Sequence, residues 1–314
     1  MAKALEYNAT MVERIDLTDA LTLFKVVPDE KLQPGWFVPG QYCVLGLNNE
    51  AKPELGSVRR SMSIASAPED EGPVEFYIRF VAKPESENPL THLLWKLKNG
   101  DRMYMRPKAV GVFTIKDTAG DNDPRFKVMV AAGTGSAPFV SIVRSELRRN
   151  PKADLSKYVL LHGVSYPSDL GHREELQGYA RTNGLHYFGT VSRPKPGDGW
   201  DGDTGRVESY FDPARLPELE RRLGLPAGGF TPASAVVLIC GLQGTIGMTI
   251  THLCERGFVP DHKRMREALG VPETMANSLF FEQYDTEPVI DIKDPAVVDP
   301  LKAALTAAWA KQGA

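Results

Sequence analysis

The sequence predicts two domains in tandem: an antiparallel β-barrel or sandwich, followed by a parallel α/β layer. Three observations carry that reading. At 314 residues the chain has room for two cores at about 150 residues each. Its first third is cut by Pro, Gly, Asn and Asp into short segments rich in alternating β-formers. Beyond Pro124, apolar runs without polar alternation are each followed by an amphipathic helix, the pattern of parallel strands covered on both faces.

The first-domain strands are TLFKVV from Thr22, QYCVLGL from Gln41, SMSIAS from Ser61, VEFYIRF from Val74 and DRMYMR from Asp101. Regular short strands of this kind suit a barrel or a sandwich. One helix interrupts them: PLTHLLWKLKNG places Leu90, Leu93, Leu94 and Leu97 on one face and ends at Gly100. The polar, turn-rich DTAGDNDP marks the domain boundary, giving domains over 1–122 and 123–284. The second domain then reads FKVMVAA and a helix Pro138–Arg149, YVLLHGV and a helix Arg173–Asn183, AVVLIC and a helix Thr245–Arg256. An extension over 285–314 is expected to end in a short helix packed on the surface.

Composition narrows the function classes. Lys+Arg 37 against Asp+Glu 40 leaves a net charge of −3, so the chain as a whole carries no nucleic-acid signature. Cys43, Cys240 and Cys254 share no metal or disulfide spacing, and the six histidines form no metal motif, so no metal is expected. The charge-free stretch from Leu223 to Cys254 is broken by Pro226, Gly228, Gly229, Pro232, Gly241, Gly244 and Gly247 and gives no membrane span. The opening residues lack a secretory apolar region, which makes the cytoplasm the expected compartment.

The chemistry concentrates at glycine turns. Gly133-Thr134-Gly135 follows a buried strand and precedes a helix opening with Pro138, an arrangement that brings backbone N–H groups to an anion such as a diphosphate. An ordinary strand-to-helix turn would look similar, because the third glycine of the dinucleotide fingerprint is replaced by Pro138. Cys240-Gly241 ends a second buried strand, and in open α/β sheets ligands bind at the carboxyl ends of strands. In the first domain Arg59-Arg60-Ser61-Met62-Ser63 offers guanidinium groups for a phosphate and hydroxyls for a ring nitrogen, or else a solvated edge strand. The clusters Arg144, Arg148, Arg149, Lys152 and Lys263, Arg264, Arg266 are solvated helix faces unless they steer an acidic partner.

The ordered set RSMSIAS, EFYIRF, NPLTHLL, AAGTGSAPF, HGVSYPSDLGHREEL, TVSRP, TGRV and LICG resembles the bacterial ferredoxin-NADP reductase family of flavoproteins across nearly all of residues 1–284. The resemblance implies a Greek-key barrel holding FAD, followed by a five-stranded parallel domain holding NADP(H). It further implies that Arg60 pairs with the flavin phosphate, that Ser63 bonds flavin N5, that Thr91 lies at the diphosphate, and that Tyr77 and Ile78 line the flavin. Gly133, Thr134, Gly135 and Pro138 match the NADP diphosphate turn, and Cys240 with Gly241 flanks the nicotinamide. Ser192, Arg193 and Arg206 resemble the 2′-phosphate residues; for Arg193, the alternative is a loop arginine bound only to water. Ser63, Cys240, Glu282 and Tyr284 are the residues implied at the reacting rings.

Two departures stand out. Met62 occupies a position where the family usually has tyrosine, and thirty residues follow Phe281-Glu282-Gln283-Tyr284, a segment that resembles the terminus of plant-type reductases. Either Tyr284 covers the flavin or the extension takes its place. The implied activity is FAD-dependent electron exchange between NADP(H) and an acidic one-electron carrier, ferredoxin or flavodoxin. The alternatives are a dedicated reductase component of an oxygenase system and a redox-inactive NADP/FAD-binding regulatory module.

Overall fold

The alternating segments of the first third fold into six antiparallel strands in the computed structural model, which describes residues 4–312. They are β1 (Ala9–Thr18), β2 (Leu21–Pro28), β3 (Tyr42–Asn48), β4 (Ser57–Ser63), β5 (Val74–Arg79) and β6 (Arg102–Met105), in the order β4-β3-β6-β1-β2-β5. The inward positions Met11, Phe24, Cys43, Leu45, Ile64, Phe76 and Met105 are fully buried, each worth about 1.5–3 kcal/mol of transfer free energy for a large side chain. The edge strands β4 and β5 meet through a single antiparallel bridge, Ile64 with Phe76, which joins the sheet into a barrel at one rung. With β3, β4 and β5 consecutive and β6 returning beside β3, the topology is a Greek key.

The helix foreseen through Gly100 is shorter than its pattern: α1 spans only Leu90–Leu94. Beyond it Lys96 and Leu97 donate to carbonyls three residues back, a tighter winding. Trp95 accounts for the change, because its ring packs edge-on against Phe24 at 5.8 Å and its Nε1 donates to the Asp19 carbonyl at 3.0 Å.

The second sheet is parallel. It holds β7 (Phe126–Ala132), β8 (Tyr158–Val164), β9 (His186–Val191), β10 (Asp203–Thr204), β11 (Ala235–Gly241) and β12 (Leu279–Gln283), in the order β10-β9-β8-β7-β11-β12. Five of these are full strands, as the resemblance implied, and β10 adds a two-residue rung beside β9. The helices of this part of the chain are α2 (Ala137–Arg149), α3 (Arg173–Asn183), α4 (Leu216–Arg222), α5 (Gln243–Cys254), α6 (Lys263–Leu269) and α7 (Pro295–Gln312).

By contacts the chain forms two compact units, one of residues up to Ile115 with Ala137–Ala153, the other of Lys116–Ser136 with Asp154 onward. Helix α2 therefore packs with the barrel strands. Its Ser141 hydroxyl donates to the Ser66 carbonyl at 2.6 Å, and its Arg144 pairs with Glu75 at 2.7 Å.

The C-terminal extension is neither short nor superficial. Helix α7 has 18 residues, contributes Val298, Leu301 and the fully buried Leu305 to the core of the second unit, and anchors Trp309 Nε1 on the Gly257 carbonyl at 3.0 Å. Among the described residues no helix is long and apolar enough to cross a membrane.

Candidate functional site

In the second unit the chain runs outward from β7 through β8 and β9, then returns to β7's other side with β11 and β12. The switch point between β7 and β11 is where open parallel sheets leave a crevice at their carboxyl ends. Both glycine turns are found there. Gly133 opens a 3-10 turn over Gly133–Ser136 with φ +56°, a left-handed conformation that favours glycine. A methyl group on Gly135 would stand 2.8 Å from the Cys240 carbonyl carbon and closer still to its oxygen, so this turn lies directly on the end of β11. A methyl group on Gly241 would meet Ala132 Cβ at 3.0 Å. The two turns are one structure.

Since all six strands run the same way, the other second-unit residues at strand ends share that edge. Ser192 and Arg193 follow β9, and Gly205 leads into Arg206 beside them, with its N–H on the Val191 carbonyl at 2.9 Å. Arg193 is exposed and makes no ion pair among the described residues, whereas Arg206 reaches the buried Glu208 at 3.5 Å. The Ser192 hydroxyl donates to the Val164 carbonyl at 3.1 Å, which fixes the start of this loop.

Strand β12 pairs Glu282 with Cys240 and Gln283 with Gly241, and the Tyr284 N–H then donates to the Gly241 carbonyl at 3.0 Å. Cys240 is fully buried. Burial pushes its thiol well above the usual range and the charge of Glu282 adds to this, while a hydrogen bond with the Tyr284 side chain works the other way. Cys240 is therefore a neutral packing group at neutral pH rather than a thiolate nucleophile. Tyr284 is 42% exposed, and the extension turns away from it over α5: the Asp285 carboxylate accepts the Gln243 N–H at 2.9 Å, and Gln243 Nε2 donates to the Val289 carbonyl at 3.3 Å. Helix α5 starts two residues before its sequence pattern, at the residue this distant carboxylate caps.

In the barrel unit the chain leaving β4 meets β5 at the Ile64–Phe76 bridge, where the Ala65 N–H donates to the Glu75 carbonyl at 2.9 Å. Arg60, Met62 and Ser63 flank it on one strand, Tyr77 and Ile78 on the other. Arg60 is exposed; its guanidinium donates to the Arg59 carbonyl at 2.8 Å and meets no carboxylate among the described residues. Ser63, Tyr77 and Ile78 are buried, and the half-buried Met62 packs on the barrel core. The Thr91 hydroxyl accepts the Val81 N–H at 3.4 Å, while His92, beside it, is stacked on Phe80 at 4.5 Å.

Strand alternation turns Arg59 and Ser61 to the opposite face from Arg60. There, with Val44, Tyr104 and Arg106, they line an open groove of about 550 Å³ that Arg60 also borders. Arg59 and Arg106 also lack ion pairs among the described residues. The α2 cluster differs: Arg144, Arg148 and Arg149 pair with Glu75, Asp70 and Glu146 and are not free to meet an acidic partner. Arg266 is likewise engaged, by the carbonyls of Pro272 and Met275.

Sequence reasoning missed two residues here. Ser136, in the first glycine turn, is fully buried and its hydroxyl finds no hydrogen-bond partner among the described residues, an orphan that a bound polar group would satisfy. His162, fully buried in β8, lies 3.0 Å from the Gly133 carbonyl. A lone histidine inside YVLLHGV was the available signal for the second, and nothing in the sequence flagged the first.

Comparison with known proteins places these features in context. The oxidoreductase NAD-binding domain family matches residues 129–250. The ferredoxin–NADP reductase of Azotobacter vinelandii is 28% identical over 240 residues, covering 71% of this chain and 79% of that protein. Ferredoxin–NADP reductase B of Sorangium cellulosum is 29% identical over 231 residues, covering 73% of this chain and 80% of its own. Among solved structures, a ferredoxin NADP+ reductase from Neisseria gonorrhoeae with bound FAD and NADP superposes with a TM-score of 0.67 at 21% identity, covering 88% of this chain and 97% of that one. At that identity the superposition establishes the two-domain fold.

Proposed function

We propose that the chain is a member of the ferredoxin–NADP reductase family, an FAD-dependent oxidoreductase exchanging electrons between NADP(H) and an acidic one-electron carrier, ferredoxin or flavodoxin, in the cytoplasm. The observation that carries the reading is the switch-point turn. Gly133 at positive φ, Gly135 packed on the Cys240 carbonyl and a buried Ser136 hydroxyl with no partner among the described residues make a glycine turn at a helix start, suited to a dinucleotide diphosphate. The exposed Arg60, which meets no carboxylate among the described residues and lies on β4 with Met62 and Ser63, supports the flavin phosphate reading.

When bound, the flavin supplies the acceptor for a hydride from reduced nicotinamide and the donor of single electrons to the carrier. The protein's contribution is positioning. Arg60 holds the flavin phosphate through charge-assisted hydrogen bonds, with Thr91 near the diphosphate. Ser63 would present its hydroxyl toward flavin N5, and Tyr77 and Ile78 would line the ring. Met62 would offer the flavin a sulfur contact in place of an aromatic face, about 0.3–1.5 kcal/mol. Gly133, Thr134, Gly135 and the Pro138 helix start receive the NADP diphosphate, while Arg193 with Ser192, and more weakly Arg206, recognise the 2′-phosphate. Cys240, Gly241 and Glu282 border the nicotinamide as uncharged wall, backbone and carboxylate. Tyr284 is the aromatic residue proposed at the reacting rings, and the extension, anchored on α5 and α6 of its own unit, leaves it 42% exposed.

Arg59 and Arg106 are the cations available to an acidic carrier, an effect read in association rate and lost with salt. The experiment is spectroscopic. Purified protein is expected to be yellow, and NADPH added without oxygen should bleach it. Colour without bleaching would favour a regulatory binding module, and bleaching without electron delivery to any ferredoxin or flavodoxin would favour a dedicated reductase.

A further inference from the structure

The apolar strand β8 carries one ionisable side chain in its interior, His162, whose backbone pairs with Ala131 of β7 and Gly189 of β9. A fully buried imidazole is costly to keep unless its nitrogens are bonded. Burial, with a smaller contribution from His172, lowers its pKa to about 4 against the bond to Gly133, so it is neutral at physiological pH and carries one N–H. The Gly133 carbonyl, 3.0 Å from Nε2, can only accept, which places the hydrogen on Nε2. Nδ1 is left as an acceptor and faces the Tyr187 hydroxyl at 3.5 Å. The tautomer is thus set by its two neighbours.

The bond falls on the first peptide of the switch-point turn. In a trans peptide the carbonyl and the following N–H point in opposite directions. Holding the Gly133 carbonyl inward on His162 therefore turns the Thr134 N–H the other way. Gly133 adopts the positive φ that this orientation of the turn uses. A leucine of similar volume would fill β8 without a buried polar group, so packing alone does not account for a histidine here.

We propose that His162 is a positioning residue for dinucleotide binding: its Nε2–H fixes the Gly133–Thr134 peptide so that the Thr134 N–H is held toward the dinucleotide diphosphate. The inference rests on the reading of this turn as the NADP site. Its role is in binding rather than in hydride transfer, since the residue touches the turn and not the reacting rings.

The test uses the purified flavoprotein and three variants, His162→Leu, His162→Gln and His162→Asn. NADP+ dissociation constants are measured by calorimetry, alongside KM for NADPH, kcat and flavin content. His162→Leu leaves the Gly133 carbonyl without its donor and should raise Kd for NADP+ and KM for NADPH about tenfold, with kcat at saturating NADPH and flavin content unchanged. His162→Gln, whose amide nitrogen reaches the Nε2 position, should restore binding to within about threefold of the parent, while the shorter His162→Asn should not. A folded His162→Leu protein with the parental Kd would overturn the proposal, as would glutamine binding no better than asparagine. The glutamine and asparagine pair decides the matter if the leucine variant does not fold. Failure of the parent protein itself to bind NADP+ would overturn the reading of the turn, a distinct result.

Discussion

Gly135→Ala is the sharpest perturbation the structure offers, because the new methyl group has nowhere to go. It would lie 2.8 Å from the Cys240 carbonyl carbon, roughly 0.7 Å inside a normal carbon–carbon contact of about 3.5 Å. The neighbour cannot yield easily, since β7 and β11 are laddered from Ala235 with Phe126 to Cys240 with Ala131. The turn has to lift instead. Overpacking of this kind costs about 1–3 kcal/mol, which for a domain of 150–250 residues lowers Tm by roughly 2–12 °C. A turn displaced by most of an ångström should also weaken NADP+ binding about tenfold or more. Gly178→Ala in α3, where nothing lies within 4 Å of the new methyl group, is the control and should be neutral or stabilising by about 0.5–1 kcal/mol. Thermal unfolding and calorimetric titration of both variants decide the point. Parental Tm and NADP+ affinity in Gly135→Ala would show that the two glycine turns are not packed as one site.

Four other outcomes are expected. Arg60→Ala removes charge-assisted bonds worth about 1.5–3 kcal/mol and should weaken FAD retention about 10- to 100-fold; unchanged flavin content after gel filtration would clear Arg60 of the phosphate. Arg193→Ala should shrink the ratio of kcat/KM for NADPH over NADH more than Arg206→Ala does, because Glu208 already engages Arg206, and equal ratios in all three proteins would refute both assignments. The lowered pKa of His162, about 4 against an unfolded value near 6.5, contributes stability that is complete above pH 6.5 and lost as pH falls toward 4, at most about 3 kcal/mol. His162→Gln should flatten that part of the stability profile, measured by urea unfolding, and an unaltered slope would show the imidazole titrating normally. Truncation after Tyr284 uncovers the surface beneath Leu301 and Leu305 and should lower Tm or prevent folding of the second unit; a truncated protein of parental Tm would mean that α7 adds nothing to the core.

Much of the architecture was legible because local pattern and tertiary demand agree. Alternation in TLFKVV and VEFYIRF predicted β2 and β5, and continuous apolar runs predicted β7, β8 and β11. Strand β9, HYFGTV, escaped that pass because its period is blurred by polar His186 and by Gly189, whose missing side chain makes room for Leu170 and Trp200. Helix α1 was overread because its leucine spacing persists past the point where Trp95 pulls the chain out of register. The tail helix α7 was underestimated for the opposite reason. Pro300 within it and a run of alanines hide an apolar stripe that only the exposed faces of α5 and α6 make useful.

The charged residues show why a site is harder to read than a fold. A run such as Arg144, Arg148, Arg149 looks like a basic surface in one dimension, yet each of the three meets a carboxylate more than 60 positions earlier in the chain. Arg59, Arg60 and Arg106 look unremarkable in sequence, yet they surround one groove with no carboxylate among them. A salt-bridged arginine at a surface contributes little and recognises nothing further, whereas three like charges held together are costly unless an anion is to be bound. What distinguishes the two sets is the partner across space, and partners are the information that periodicity does not carry. The same holds for Gly133: its positive φ could be guessed from a glycine before a helix, but the histidine that orients its carbonyl belongs to another strand, 29 residues on.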